Sequence, residues 1–187
     1  MFTPLLPACL GGLYLLSEVF LSITRRSGTG AVSRDRRSLI LLWLVITLSI
    51  WLSIRASYWP PGRLPRSLVW PWLGLFTFVL GIALRWYAIL YLGRFFTVNV
   101  AIAQEHELID SGPYRWIRHP SYTGALLALV GFGLSLGSWV ALICLVIPTT
   151  AVFSWRIYVE ERALSEALGD AYRQYMARTR RLIPFLY

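Results

Sequence analysis

Lysine is missing from this 187-residue chain: all 18 of its basic residues are arginine, against 9 acidic ones. Codon bias is the simplest reading of that bias, and the net charge of +9 is distributed along loops instead of forming one basic patch. Nucleic-acid binding is therefore not what the charge signals. Cysteine is nearly absent, and Cys9 and Cys144 fall in different apolar stretches without metal-ligand spacing, which excludes a redox pair and leaves two small packing residues. His106 and His119 are the only histidines, too few for a histidine-rich metal site. Walker loops, GxGxxG fingerprints, Ser-His-Asp patterns, internal repeats and low-complexity segments are all lacking. Charge itself is scarce, at 14% of residues where soluble domains carry about 25%, while 57% are hydrophobic.

What is present is a series of long apolar runs. A helix needs about 20 mainly apolar residues to cross a bilayer, and the sequence predicts five spans: Pro4–Thr24, Ser38–Trp59, Leu68–Leu92, Pro120–Leu136 and Ser138–Ile157. The chain is thus expected to be an all-α integral membrane protein with the lipid bilayer as its principal partner. Only Gly137-Ser138 separates the last two spans, so a tight antiparallel hairpin is expected there. The first span lacks a preceding basic residue and a clear cleavage site, and is read as retained rather than as a signal peptide. Arginines cluster at 25–37 (Arg25, Arg26, Arg34, Arg36, Arg37), in segment 93–119 (Arg94, Arg115, Arg118) and after the last span (Arg162, Arg173, Arg178, Arg180, Arg181). The positive-inside rule places those three regions in the cytoplasm and the N-terminus outside, and parity over five spans agrees. The chain divides into a three-helix membrane region, 1–92, and a region 93–187 that holds most of the remaining polar signal.

Two polar clusters stand out in that second region, and the topology puts both on the cytoplasmic side. One is Gly112–Tyr122, reading Gly-Pro-Tyr-Arg-Trp-Ile-Arg-His-Pro-Ser-Tyr; the other is Arg156 with Glu160 and Glu161. Thr97–Ala101 has the β-branched alternation of an extended stretch, Asp110-Ser111-Gly112-Pro113 is a turn signal, Tyr114–Arg118 fits one helical turn, and Pro120 opens span four. Ionisable groups at the membrane serve ion pairing, lipid contact or chemistry. A surface loop with interfacial Trp and Tyr anchors and phosphate-binding arginines accounts for the first cluster equally well on composition. Arg156 and Glu160 at i,i+4 also fit a plain intrahelical ion pair. Leu164, Leu168, Tyr172, Tyr175 and Met176 recur at helical spacing, predicting that span five continues as an amphipathic helix. Within the spans, Glu18 and Arg85 invite a structural pair, with snorkelling or a place in the site as alternatives. Gly124, Gly131 and Gly133 predict close helix packing.

The block Gly-Pro-Tyr-Arg-Trp-Ile-Arg-His-Pro-Ser-Tyr, then a hairpin, then Glu160-Glu161, Leu168-Gly-Asp-Ala-Tyr-Arg-Gln-Tyr175 and the terminal Arg181-Leu-Ile-Pro-Phe resembles the isoprenylcysteine carboxyl methyltransferase family over about residues 93–187. The resemblance implies a membrane methyltransferase that uses S-adenosyl-L-methionine, without metal, on a lipophilic methyl acceptor, a carboxylate first. By position it implies a cytoplasmic cofactor-binding segment containing Asn99, His106, Glu107, Leu108, Ile109 and Tyr114. His119, Pro120, Ser121, Tyr122 and Glu160 are implied to complete the cofactor site, with Arg156 near the acceptor as the catalytic and substrate-binding residue. Tyr114 and Tyr122 offer faces for a sulfonium cation, and the Arg156 fork suits a carboxylate. A carboxylate acceptor is already ionised, so transfer would need alignment in a dry pocket rather than a base. A phospholipid amine or small thiol as acceptor, or a non-catalytic protein on the same scaffold, are the alternatives. The arginine-only composition and short length imply a prokaryotic member in a bacterial inner membrane.

Overall fold

The computed structural model describes residues 5–24, 36–96 and 108–183. Among these the protein is helical without strands, built from α1 (Leu5–Thr24), α2 (Arg36–Ser57), α3 (Val69–Leu92), α4 (Pro120–Ser135), α5 (Trp139–Leu168) and α6 (Asp170–Arg178), with short 3₁₀ turns between. Four of these helices, α1, α2, α3 and α5, are long and apolar enough to cross a membrane. α4 is apolar but has only 16 residues, a length of about 24 Å at 1.5 Å per residue. Large apolar side chains such as Leu16, Leu44, Phe76 and Ile147 point outward, each more than half exposed. A bundle apolar on its outside as well as its inside is what a hydrocarbon surrounding favours.

α4 packs against α3 with their backbones in contact, because both helices present small residues where they meet. A Cβ added to Gly81 would lie 2.3 Å from the Ala128 nitrogen, one on Gly124 2.4 Å from the Arg85 nitrogen, and one on Gly131 2.3 Å from the Phe78 nitrogen. Gly133 gives its space to Leu142 of α5 instead. The hairpin between α4 and α5 turns at Gly137, whose φ of 63° suits a residue without Cβ. Ser138 then caps α5, its side chain accepting from the Ala141 amide at 3.2 Å. The same hydroxyl donates to the Gly62 carbonyl at 2.9 Å, tying the α2–α3 connection to the hairpin turn. The core between the helices is filled by Tyr14, Phe78, Ala128, Leu129, Phe132 and Phe153.

Two charges are buried inside the bundle and pair with one another. Arg85 of α3 meets Glu18 of α1 through both ends of its fork, Nε–Oε1 at 2.7 Å and Nη2–Oε2 at 2.8 Å. Its Nη1 donates to the Ser121 carbonyl at 3.1 Å, in the first turn of α4. The pair is therefore structural, and it fixes the start of α4 relative to α1 and α3.

The continuous helix expected after span five is in fact two. α5 ends at Leu168, Gly169 adopts φ 57°, and α6 starts afresh at Asp170. A residue in that left-handed region ends a helix, and glycine adopts it without strain. The change of direction carries Tyr172 and Tyr175 into the protein, both buried. Likewise, the helical turn expected at Tyr114–Arg118 is a 3₁₀ turn over Gly112–Arg115, one residue pair earlier.

Candidate functional site

The two polar clusters separated by the α4–α5 hairpin in sequence meet at one end of the bundle. Proline starts the first of them twice. Pro113 stands at the head of the 3₁₀ turn, where the Tyr114 amide donates to the Ser111 carbonyl at 3.1 Å. Pro120 is the first residue of α4, a position where its missing N–H costs nothing.

Between these turns the chain is held by the C-terminal strap, residues 179–182. The Arg118 amide donates to the Arg180 carbonyl at 2.7 Å, the His119 amide to the Arg181 carbonyl at 3.1 Å and the Arg180 amide to the Trp116 carbonyl at 3.3 Å. Thr123 Oγ1 adds a bond to the Leu182 carbonyl at 2.7 Å. Tyr175 donates its hydroxyl to the Tyr114 carbonyl at 2.7 Å, and Tyr114 passes its own to the Ala88 carbonyl of α3 at 3.1 Å. Burial pushes the Tyr114 and Tyr172 hydroxyls far above their ordinary range, so both stay protonated, Tyr114 as the donor to Ala88.

Glu160 and Glu161 are neighbours in sequence with separate tasks, because successive residues of a helix point about 100° apart. Glu161 is buried and faces the strap. Its Oε1 takes Arg118 Nε at 2.7 Å and its Oε2 takes Arg181 Nε at 2.9 Å. Arg118 also donates to the carbonyls of Met176 and Thr179. Burial works against the Glu161 charge, but the nearby His119 ring and the Arg118 guanidinium outweigh it and hold this carboxyl down at about 2. Glu160, half-buried, faces α4 and accepts the Tyr122 hydroxyl at 3.1 Å.

Around that contact the rings form a ladder: His119 to Tyr122 at 5.7 Å between centroids, Tyr122 to Phe153 at 5.2 Å. Arg156, one turn before Glu160, is only 1% exposed and donates to Ser38 Oγ of α2. His119 is buried at the N-cap of α4. Its Nε2 lies 3.4 Å from Glu161 Oε1, a long contact that leaves this nitrogen without a hydrogen bond.

The structure thus brings His119, Tyr122, Arg156 and Glu160 of the expected set to one place. Pro120 and Ser121 are buried beside them, with Ser121 engaged through its carbonyl by Arg85. Tyr114 is nearby but locked by hydrogen bonds at both hydroxyl and carbonyl. Leu108 and Ile109 are half-buried in irregular chain just before the 3₁₀ turn. Asn99, His106 and Glu107, with the extended stretch Thr97–Ala101, lie outside the described residues. Sequence reasoning missed Glu161, Arg118 and Arg181 as one clamp. The available signal was a second carboxylate beside Glu160 with arginines on two separate segments near it. Among the described residues no group of His, Cys, Asp or Glu is arranged to hold a metal ion.

A helical protein with membrane-length helices and an Arg–Glu–His–Tyr cluster, its Arg156 and His119 buried, at one end is the class defined so far. The profile of the isoprenylcysteine carboxyl methyltransferase family matches residues 72–166. The chain belongs to that family. It is similar to protein-S-isoprenylcysteine O-methyltransferase B of Arabidopsis thaliana, 36% identical over 115 residues that cover 60% of this chain and 58% of the relative. The enzyme of that name from Tribolium castaneum is 37% identical over 122 residues, covering 61% and 41%. The uncharacterized protein YpbQ of Bacillus subtilis (strain 168) is 30% identical over 125 residues, covering 65% and 73%. The match spans less than two thirds of the length of the plant and insect enzymes. Among solved structures, the eukaryotic intramembrane Ras methyltransferase ICMT superposes with a TM-score of 0.57 at 27% identity, covering 83% of this chain and 55% of that one.

Proposed function

We propose that the protein is a membrane methyltransferase that transfers a methyl group from S-adenosyl-L-methionine to a lipophilic acceptor, a carboxylate of the isoprenylcysteine kind. The observation that carries this reading is the meeting of His119, Tyr122 and Glu160 with buried Arg156 at one end of the bundle. In this reading α4 is a fifth, short span supported by its backbone contact with α3. The N-terminus lies outside a bacterial inner membrane, and the cluster faces the cytoplasm with the loop arginines. Residues 1–92 are scaffold, and 93–187 carry the cofactor segment, the hairpin and the tail that packs back on it.

The residues suit the cofactor by their chemistry. Glu160 uses one oxygen for Tyr122 and keeps acceptor capacity for a cationic or hydroxyl-bearing group. His119 Nε2 is a buried polar atom in need of a partner. The Tyr122 and Phe153 rings give aromatic surface for a sulfonium or an adenine. When bound, S-adenosyl-L-methionine supplies a methyl group on positively charged sulfur.

The chain's own residues do the remaining work. Tyr122 orients Glu160, the ring ladder excludes water, and Arg156 keeps a permanent positive charge in a dry site, where it holds the acceptor carboxylate. No base is required, since the attacking oxygen is already ionised. An amine acceptor would need one, and Arg156 is an unfavourable neighbour for it.

The test is titration of S-adenosyl-L-methionine into the detergent-purified protein by calorimetry, followed by methyl transfer to an S-prenylated cysteine with a free carboxyl group. Glu160→Gln and His119→Ala are expected to weaken cofactor binding at least tenfold with the melting curve retained. Arg156→Ala is expected to keep cofactor affinity and lose turnover. Unchanged affinity in both of the first two variants refutes the site.

A further inference from the structure

A second feature at the same end of the bundle takes no part in that chemistry. Asp110, Ser111, Gly112, Arg115, Trp116 and Arg178, together with Ala177 and Arg180, line a cavity of about 720 Å³ that shares no residue with the cluster around Glu160. Its floor is firmly built. Gly112 has φ 56°, and a Cβ there would lie 2.4 Å from the Tyr91 ring, whose hydroxyl donates to Ser111 Oγ at 2.9 Å. One wall is the strap, where Arg180 is held through its main chain by Trp116 and Arg118 while its side chain remains exposed.

The charges of the lining do not balance. Arg178 pairs with Asp110 and lies over the Tyr175 ring. Arg115 and Arg180 have no acidic partner among the described residues, and Arg115 instead stands 5.7 Å over the Trp116 ring. The cavity therefore carries a surplus of two guanidinium charges in a concave site, the setting that favours a bidentate oxyanion such as phosphate. The neighbourhood also suits a membrane surface: Trp116, 55% exposed, stands four residues before the apolar helix α4 begins, and tryptophan beside such helices favours the headgroup level. A cytoplasmic leaflet presents phosphate there on anionic lipids.

We propose that this cavity is a phosphate-binding site between Arg115 and Arg180, filled by the headgroup of an anionic phospholipid. Bound there, the lipid would tie the 3₁₀ turn to the C-terminal strap and so brace the segment from which Tyr114 and His119 project.

The full-length protein in a non-ionic detergent is titrated with dihexanoyl phosphatidylglycerol, dihexanoyl phosphatidylcholine and inorganic phosphate, following binding by calorimetry. The control is the double variant Arg115→Gln/Arg180→Gln, whose side chains are exposed and whose melting curve is expected to match that of the parent. Preferential binding of phosphatidylglycerol that falls about thirtyfold in the double variant supports the proposal, the figure following from two lost charges near a membrane surface. Inorganic phosphate bound as tightly as the glycerol lipid, and lost in the same variant, keeps the phosphate site but overturns its assignment to a lipid. Equal affinity for the two lipids, or phosphatidylglycerol binding that survives the double variant, overturns the site. None of these outcomes depends on methyl transfer, so the result is separate from the proposed reaction.

Discussion

Replacing Glu161 by glutamine removes one charge and no volume, and it tests the reading of that residue as the fastener of the C-terminal strap. The side chains of Glu161 and Arg118 are 6% and 8% exposed, and their ion pair closes at 2.7 Å. Removing one member of a buried pair costs about 3–5 kcal/mol, because the other charge stays buried without its partner. Arg118 keeps its bonds to the Met176 and Thr179 carbonyls, which places the cost near the lower end. The Arg181 contact adds less than about 1 kcal/mol, since that side chain is 34% exposed.

A loss of about 3 kcal/mol corresponds to a melting midpoint lower by about 6–12 °C for a chain of this size. The assay is thermal unfolding in detergent followed by circular dichroism, with limited proteolysis of the C-terminal segment as a local readout. The sign of the pH dependence is fixed by the depressed carboxyl. Its folded value of about 2 lies below the ordinary 4.5, so its stabilisation is complete above about pH 4.5 and is lost as pH falls through about 2. The wild-type midpoint should therefore drop over that window more steeply than the variant's. A Glu161→Gln protein with an unchanged midpoint, an intact strap and the same acid slope refutes the reasoning. Glu160→Gln, half-buried and bonded among the described residues by a tyrosine hydroxyl alone, is expected to shift the midpoint by a far smaller amount.

The remaining predictions concern the scaffold. Gly81→Ala places a methyl 2.3 Å from the Ala128 nitrogen and 2.6 Å from the Gly124 carbonyl oxygen, both backbone atoms. The clash is expected to exceed the gain of about 1 kcal/mol in helix propensity and to lower the midpoint. Gly12→Ala, with nothing within 4 Å of the added Cβ, is expected to raise it. Glu18→Leu and Arg85→Met should each cost about 3–5 kcal/mol, whereas the double variant should recover most of that loss; additive losses in a double-mutant cycle would show that the two side chains do not act as a pair.

How much of this was legible beforehand depends on the range over which each interaction acts. The long spans could be read directly, since twenty apolar residues in a row have few other uses, and the turns at Gly112 and Gly137 followed from glycine beside proline or serine. The end of α5 was missed at Gly169 because the apolar spacing of Leu164, Leu168, Tyr172 and Tyr175 continues through it; a periodic pattern hides a break in direction when both helices bury the same kind of residue. Glu18 and Arg85 were visible as buried charges, but the bidentate contact, and its third bond to Ser121, depends on how three helices pack.

The division of labour between Glu160 and Glu161 was the hardest to see. Side by side in sequence they look like one doubled acid, and only the helical rotation between them sends one to Tyr122 and the other to Arg118 and Arg181. That rotation has a functional corollary. Among the described residues the Glu160 carboxylate is held by a single neutral donor, the Tyr122 hydroxyl, whereas Glu161 takes up Arg118 and Arg181. In the proposed function Glu160 therefore has acceptor capacity left for a cationic ligand, while Glu161 fastens the strap.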